Sequence, residues 1–127
     1  MSQWQIRWGE GDRRSVATLA ELDAVLDELG QASELILVEV VSPNGSSLAI
    51  CLGGSETFLN YVPADRDPPY LSSVGDQDAE GTIEFQFSGE WSECPRRHVV
   101  PIASGRDAVR HFFQTSELSS SILWEED

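Results

Sequence analysis

Two segments of the chain follow the hydrophobic period of a helix, and the short alternating or continuously apolar segments around them are typical of β-strands. The clearest helix is predicted over "TLAELDAVLDELG", where apolar residues recur every three or four positions. Thr18 and Glu21 form a capping box at its start, in which a hydroxyl and a carboxylate satisfy free backbone amides. Gly30 is expected to end this helix in a left-handed conformation. The second helix is predicted over "SGRDAVRHFFQ", with Ser104 as its N-cap.

The segments around the helices predict strands. The first is "WQIRW", and "ELILVEV" and "SLAICL" then form a hairpin around the turn "SPNG". "TFLNYV", "LSSVG", "TIEFQF", the extended "RRHVVP" and the terminal "ILW" follow, with a turn at Ser88-Gly89. Alternation in "TFLNYV" places Leu59 and Tyr61 on one face of the sheet and three side chains on the other: Phe58, Asn60 and Val62. The order predicts one α+β domain over 1–127, an antiparallel sheet of about six to eight strands with two helices packed against it.

Two loops interrupt this pattern, the proline-rich "PADRDPPY" and the acidic "DQDAEG". The acidic loop imitates the start of a calcium-binding EF-hand, but Phe87 occupies the position that requires a bidentate glutamate. Cys94 and His98 have a spacing found in zinc sites, but structural zinc sites usually combine two such short pairs. We therefore expect neither a metal nor another cofactor. Acid/base chemistry or contact with a cationic partner remain the alternatives for the acidic loop.

The net charge of the chain limits the kinds of partner that it can bind. It has 22 acidic and 8 basic residues, and its formal net charge is −14. Such a field repels nucleic acid, whose phosphates bind through Lys and Arg, and it also repels anionic membranes, while it attracts basic proteins. Solubility alone is the simpler explanation of this acidity. The lack of an apolar membrane-spanning run or of a secretion signal predicts a cytoplasmic protein, and a monomer is favoured.

Catalysis has one candidate set of residues, the thiol of Cys94 with the imidazole of His98 or His111. Nucleophilic catalysis needs a nucleophile, a base and an orienting group in contact. The sequence contains neither the nucleophile-elbow motif nor a phosphate-binding glycine loop. We expect no enzyme activity. A small enzyme that uses Cys94 and a histidine, and an interaction module unrelated to toxins, remain alternatives.

Recognition by surface loops is the interpretation that remains, because loops on a rigid sheet commonly carry binding residues. Tyr70 and Trp91 lie near the two loops in sequence, where they either anchor an interface or complete the core. Trp124 is expected in the core. The predicted partner contacts are Asp65, Asp67, Tyr70, Asp76, Asp78, Glu80 and Trp91.

The order and spacing of these motifs resemble a known family. The matching segments are "LAELDAVLDEL", "LILVEV", "LAICLGG", "FLNYV", "YLSSVGDQDAEGTIEFQFSGEW", "VVPIASGRDAVRHFF" and "ILW". The single positions that match are Ser73, Gly75, Gly81, Phe85, Gly89, Val100, Pro101 and Trp124. Together they resemble the first-numbered immunity-protein family of bacterial polymorphic toxin systems, whose members neutralise deaminase toxins. Two departures are the absence of a proline in "ELSSSI" and two arginines in "SECPRRH".

The resemblance implies an immunity protein that binds and inhibits a secreted toxin. A nucleic-acid deaminase holds an anionic strand in a basic cleft that contains a zinc-bound water. An acidic protein could occupy that cleft in place of phosphate. On this interpretation the stretch from Asp76 to Glu80 imitates phosphate and faces the cationic toxin.

Overall fold

The computed structural model describes residues 3–31, 34–87 and 89–127 of the chain. The two helices within these residues are α1 (Leu19–Leu29) and α2 (Ile102–Thr115), and Arg96–His98 form one 3₁₀ turn. The strands are β1 (Trp4–Trp8), β2 (Asp12–Val16), β3 (Ile36–Val41), β4 (Ser47–Leu52), β5 (Glu56–Thr57), β6 (Leu59–Val62), β7 (Leu71–Val74), β8 (Thr82–Phe87), β9 (Glu90–Pro95), β10 (Val100–Pro101) and β11 (Leu123–Glu126). None of the described helices is long and apolar enough to cross a membrane.

The strands form one large sheet and one short pair. Seven strands lie in the order β11-β7-β6-β4-β3-β1-β2, with antiparallel neighbours throughout. The β8–β9 hairpin joins this sheet through a parallel bridge between Ile36 and Gln86, which gives nine strands. Strands β5 and β10 pair separately. The predicted α+β class is confirmed, and the sheet has slightly more strands than the six to eight expected.

Helix α1 begins with the predicted capping box. The Glu21 amide donates to the Thr18 hydroxyl at 3.1 Å, and the Thr18 amide donates to the Glu21 carboxylate at 3.0 Å. The backbone amides of Ala17 and Thr18, together with the Thr18 hydroxyl, lower the pKa of Glu21. Gly30 ends this helix as its C-cap, as predicted, but the expected left-handed conformation is wrong, because Gly30 has right-handed helical angles and its amide donates to the Leu26 carbonyl oxygen at 2.9 Å.

Helix α2 begins earlier than its sequence indicates. Pro101, not Ser104, occupies the N-cap position, and no side chain caps the helix. The amide of Ile102 instead donates to the Ser55 carbonyl oxygen at 3.0 Å, a contact with the loop before β5. The Ser104 prediction is therefore wrong, because a backbone carbonyl from elsewhere in the chain takes the place of a local side-chain cap.

Three further segments differ from their predictions, and one of them is β9, which was not predicted as a strand. The polar β2 was not predicted as a strand, and four of its five residues are exposed. The chain over 96–101, predicted as extended, contains the 3₁₀ turn Arg96–His98 before the two-residue β10. The turn predicted at Ser88-Gly89 lies partly outside the described residues, because Ser88 is not among them.

The large sheet separates two apolar clusters. Helices α1 and α2 pack on one face, where the larger cluster contains Leu26 and Phe112 from the helices and Val38 and Ile50 from the central strands. Trp124 packs against this cluster, as expected. The hairpin covers part of the other face with a smaller cluster formed by Cys51, Phe58, Phe85 and Cys94. The helices therefore cover one face of the sheet, and the hairpin covers part of the other face and leaves the rest of it open.

Candidate partner-binding surface

The proline-rich loop between β6 and β7 is tied to the β3–β4 turn through one arginine. Arg66 has a left-handed backbone with a φ of 63°, which is uncommon outside glycine. Its Nη1 donates to the Gly45 carbonyl oxygen and the Ser47 hydroxyl, each at 3.1 Å. Its carbonyl oxygen accepts from the Tyr70 hydroxyl at 2.9 Å. The loop thus holds a guanidinium over the face of the sheet opposite the helices.

The acidic loop between β7 and β8 presents its carboxylates to solvent from a fixed backbone. Asp76, Asp78 and Glu80 are all exposed. Oδ1 of Asp76 accepts from the Asp78 amide at 3.0 Å. The amide of Gly75 donates to the Arg97 carbonyl oxygen at 2.8 Å, which ties the start of the loop to the 3₁₀ turn. Across the described residues, no group of three or more His, Cys, Asp or Glu side chains is arranged to hold a metal ion.

The outer face of the β8–β9 hairpin combines like charges with an exposed tryptophan. Glu84 and Glu93 lie directly opposite each other in the ladder, and Gln86 and Trp91 form the next outward-facing pair. Trp91 is 58% exposed. Two like charges directly opposite each other destabilise a hairpin, and a tryptophan that is mostly exposed gives up much of the stabilisation that burial would provide. This face is therefore built at some cost to stability.

We call this outer face together with the preceding loop the acidic surface. Gln86 follows the start of β8 by four residues, so Trp91 lies ~13 Å along the hairpin from the loop. Glu84 and Glu93 fill the interval. The acidic surface comprises Asp76, Asp78, Glu80, Glu84, Glu93 and Trp91.

The thiols of Cys51 and Cys94 lie beneath the hairpin and are poor nucleophiles. Both are free and buried, and burial raises the pKa of each to about 12. A reactive cysteine needs the opposite shift, because the thiolate is the attacking species. Nδ1 of His98 lies 2.9 Å from the Ser73 carbonyl oxygen, and His111 belongs to α2 on the other side of the sheet. These positions argue against the Cys94–histidine alternative.

The open part of the sheet forms a groove of about 720 Å³ beside the hairpin, which we call the sheet groove. A row of five polar residues and one alanine crosses the face of the sheet here, and each residue pairs with the next on the neighbouring strand. The row consists of Arg13, Arg7, Glu39, Ala49, Asn60 and Ser72. Arg66 and Phe87 also line the sheet groove.

The structure divides the predicted contact residues between the two ends of β7. Asp76, Asp78 and Glu80 follow this strand. They belong to the acidic surface with Trp91, which is exposed and does not complete the core. The residues that precede β7 lie beside Arg66 instead. They are Asp65 and Asp67, which are exposed, and Tyr70, which is half-buried.

Sequence reasoning missed the acidic pair on the hairpin and the whole sheet groove. Strand alternation did place Glu84 on the polar face of β8, but the opposing Glu93 lies on a strand that was not predicted. The arginines of the sheet groove come from β1, β2 and the β6–β7 loop. Only the strand order brings them together, and local sequence patterns do not encode that order.

Comparison with known proteins identifies the family. A family profile described as "Immunity protein Imm1" matches residues 10–126. Comparison with curated proteins gives no match. The profile spans both helices and every strand listed above except β1. The match therefore covers the acidic surface and most of the sheet groove, and the chain belongs to the Imm1 family of immunity proteins.

Proposed function

We propose that this chain binds and inhibits a cognate nucleic-acid deaminase toxin by covering its basic active-site cleft with the acidic surface. The observation that carries the proposal is the exposed Trp91 beside the opposed carboxylates of Glu84 and Glu93. Membership of an immunity-protein family supports a toxin as the partner. The chain blocks the cleft of the toxin and catalyses no reaction itself.

Electrostatics suits the acidic surface to this role. A deaminase cleft that holds a phosphate backbone is lined by cations. The carboxylates of Asp76, Asp78 and Glu80 would meet those cations in place of phosphate, and the net charge of −14 would speed the encounter. Repulsion between Glu84 and Glu93 would be relieved when a cation enters between them. Binding would therefore remove the repulsion that destabilises the acidic surface in the free protein.

In this proposal, burial of Trp91 makes dissociation of the complex slow. Aromatic residues buried at the centre of an interface often dominate its binding energy, whereas exposed charges at the rim mainly change the association rate. Burial of an indole that is 58% exposed in the free chain would lengthen the life of the complex. We place Asp65, Asp67 and Tyr70 at the margin of the same interface.

The cellular setting follows from the same proposal. The chain would act as a monomer of one domain in the cytoplasm of the toxin-producing cell, where it meets toxin before secretion. It needs no cofactor, and it binds neither nucleic acid nor a membrane. Its partner is the deaminase encoded beside it.

The test compares two triple variants against the toxin encoded alongside this chain. Asp76→Asn, Asp78→Asn and Glu80→Gln remove three charges, and the side-chain amide introduced at position 76 keeps an oxygen to accept from the residue 78 amide. The control removes three exposed carboxylates elsewhere, with Glu28→Gln, Glu56→Gln and Glu117→Gln. Both triples change the net charge from −14 to −11, because each substitution removes one negative charge.

We expect the loop triple to weaken toxin binding about ten-fold or more at low salt, and to reduce its salt dependence. The control triple should change affinity less than about three-fold. Equal effects of the two triples would show that only net charge matters and would remove the acidic loop from the interface. A wild-type chain that neither binds the toxin nor inhibits base deamination would overturn the proposed function itself.

A further inference from the structure

The sheet groove differs in charge from the rest of the molecule. Of the 8 arginines in the chain, Arg7, Arg13 and Arg66 line this one groove, and its lining includes only two carboxylates, Asp12 and Glu39. The whole chain has 22 acidic residues. The groove lining therefore has a small excess of positive charge within a strongly acidic protein.

Two of these guanidiniums are placed where they repel each other. Arg7 and Arg13 are directly opposed in the β1–β2 ladder, and like charges in that arrangement are unfavourable. Glu39 relieves only one of them, through an ion pair with Arg7 at 3.4 Å. Arg13 is exposed and has no ion-pair partner in the described part of the chain. An anion beside Arg13 would remove an existing repulsion.

Arg66 approaches the groove from the opposite wall. Its left-handed backbone is sterically unfavourable for a residue with a side chain. The guanidinium is anchored by its bonds to Gly45 and Ser47, both formed by Nη1, and it has no carboxylate partner among the described residues. Its hydrogen-bond acceptors are neutral, so it forms no ion pair within the described residues. Arg13 and Arg66 thus place two guanidiniums without ion-pair partners on facing walls.

The floor between the walls fits a segment of polypeptide. Ala49 is small and the Asn60 side chain lies beside it in the row across the sheet. The backbone strands of the floor are all paired, so a guest would bind through side chains. Leu37 and Phe87 add apolar contact, and Phe87 is 40% exposed. A free inorganic anion would use the guanidiniums but would leave these apolar contacts unfilled.

We propose that the sheet groove receives an acidic segment of the toxin, with an Asp or Glu side chain that pairs with Arg13 at one wall while Arg66 attracts the segment from the opposite wall. This inference rests on the proposed function. The hairpin covers one part of this sheet face and the groove occupies the remainder, so one partner can reach both. The interface then has two signs of charge, with the toxin's cations on the acidic surface and a toxin carboxylate in the groove. Opposite charges at two places fix the orientation of a complex and reject partners that carry only one of them.

The test exploits two neighbouring arginines on opposite faces of β2. Arg13→Gln removes a charge from the sheet groove. Arg14→Gln removes a charge from the other face, where the guanidinium pairs with exposed Glu28 at 3.1 Å. Both variants make the chain equally more negative, so attraction to a basic toxin would rise equally in both. We expect Arg13→Gln to weaken toxin binding about ten-fold, and Arg14→Gln to leave it within about three-fold of wild type.

A second variant tests the groove without a change of charge. Ala49→Leu fills the floor and should weaken toxin binding to a similar extent, while circular dichroism and the unfolding midpoint report whether the fold is kept. Thermal unfolding serves the same purpose for Arg13→Gln, which should unfold at no lower temperature than wild type because it removes the repulsion with Arg7.

Three results would overturn the inference. The first is toxin binding by Arg13→Gln that equals or exceeds wild type. The second is that Arg13→Gln leaves toxin binding unchanged, while inorganic phosphate binds to the wild type and not to Arg13→Gln. This result would make the groove a site for small anions. In both cases the proposed function would stand. The third is a wild-type chain that does not bind the toxin, which would overturn the proposed function and this inference together.

Discussion

The two faces of the central sheet carry different kinds of side chain, although the same strands build both. Toward the helices, β3 and β4 present Val38, Val40 and Ile50, each 0% exposed. Toward the hairpin and the groove, the same two strands present Glu39 and Ala49. The helix face is built for packing, and its contacts determine whether the chain folds. The other face has a smaller apolar cluster under the hairpin, and its open part combines polar, small and charged residues that contribute little to a core.

The difference shows where stability and recognition are located in this molecule. Buried apolar area is the main favourable term in folding, and most of it lies between the helices and the sheet. The opposed Glu84 and Glu93 and the opposed Arg7 and Arg13 lie outside that core. Substitutions on the helix face should therefore change stability, and substitutions at the sheet groove or on the outer face of the hairpin should mainly change binding.

The largest expected effect comes from a phenylalanine on the helix face. Phe112 is fully buried and makes edge-to-face contacts with Trp4 and Tyr61 at centroid distances of 5.2 and 6.1 Å. Phe112→Ala should lower the free energy of unfolding by about 3–5 kcal/mol, measured by denaturant titration. The matched control is Phe87→Ala at the groove, which should cost about 1 kcal/mol or less because Phe87 is 40% exposed. Equal losses from both variants would contradict the division between the faces.

A smaller effect is expected where α2 touches the sheet. A Cβ on Gly105 would collide with Cγ2 of Thr57. The Thr57 side chain cannot turn away freely, because its hydroxyl donates to the Cys51 carbonyl oxygen at 2.7 Å and accepts from the Cys51 amide at 3.0 Å. Gly105→Ala should therefore destabilise the chain by about 1–3 kcal/mol. In an exposed helix the same substitution would stabilise by about 1 kcal/mol.

The Gly105 prediction has an internal control. Thr57→Ser removes Cγ2 and keeps the hydroxyl, which makes room for the new methyl group. The double variant should be more stable than the sum of the two single variants predicts, as measured by unfolding free energies in a double-mutant cycle. Simple additivity would show that the contact with Thr57 is not what requires glycine at 105.

Local patterns were sufficient to predict most of the fold. The capping box at Thr18 and the alternation of Asn60 and Leu59 depend on neighbours in sequence, and the structure confirms both. Strand β2 was not predicted because it is an edge strand with one buried residue, so it carries almost no apolar alternation. The only local signal was a pair of glycines, Gly9 and Gly11, which turn the chain with positive φ.

The candidate site was less predictable than the fold. Exposed acids in a loop can be found from composition and turn residues, and Asp76 and Asp78 were found in that way. The cross-strand partner of Glu84 depends on the register of β8 and β9, and the sheet groove depends on the order of five strands. Such juxtapositions arise from long-range pairing, which no single segment specifies.

The smallest effect concerns the acidic pair on the hairpin. Glu84→Gln removes the repulsion with Glu93 while it keeps the length and polarity of the side chain. We expect the free energy of unfolding to rise by about 0.2–1 kcal/mol at low salt, and the gain to shrink at high salt because exposed charges are screened. Glu117→Gln removes an exposed charge elsewhere and should change stability by less than about 0.5 kcal/mol.

The same variant separates stability from recognition. If the acidic surface binds the toxin, Glu84→Gln should release the toxin faster than wild type although the free chain is more stable. Stopped-flow or surface-binding kinetics would measure this rate beside the unfolding free energy. Lower stability of Glu84→Gln would contradict the repulsion between Glu84 and Glu93. An unchanged rate of toxin release would show that the hairpin is not part of the interface. A gain in stability with a loss of binding is expected only if the unfavourable Glu84–Glu93 pair is relieved in the complex.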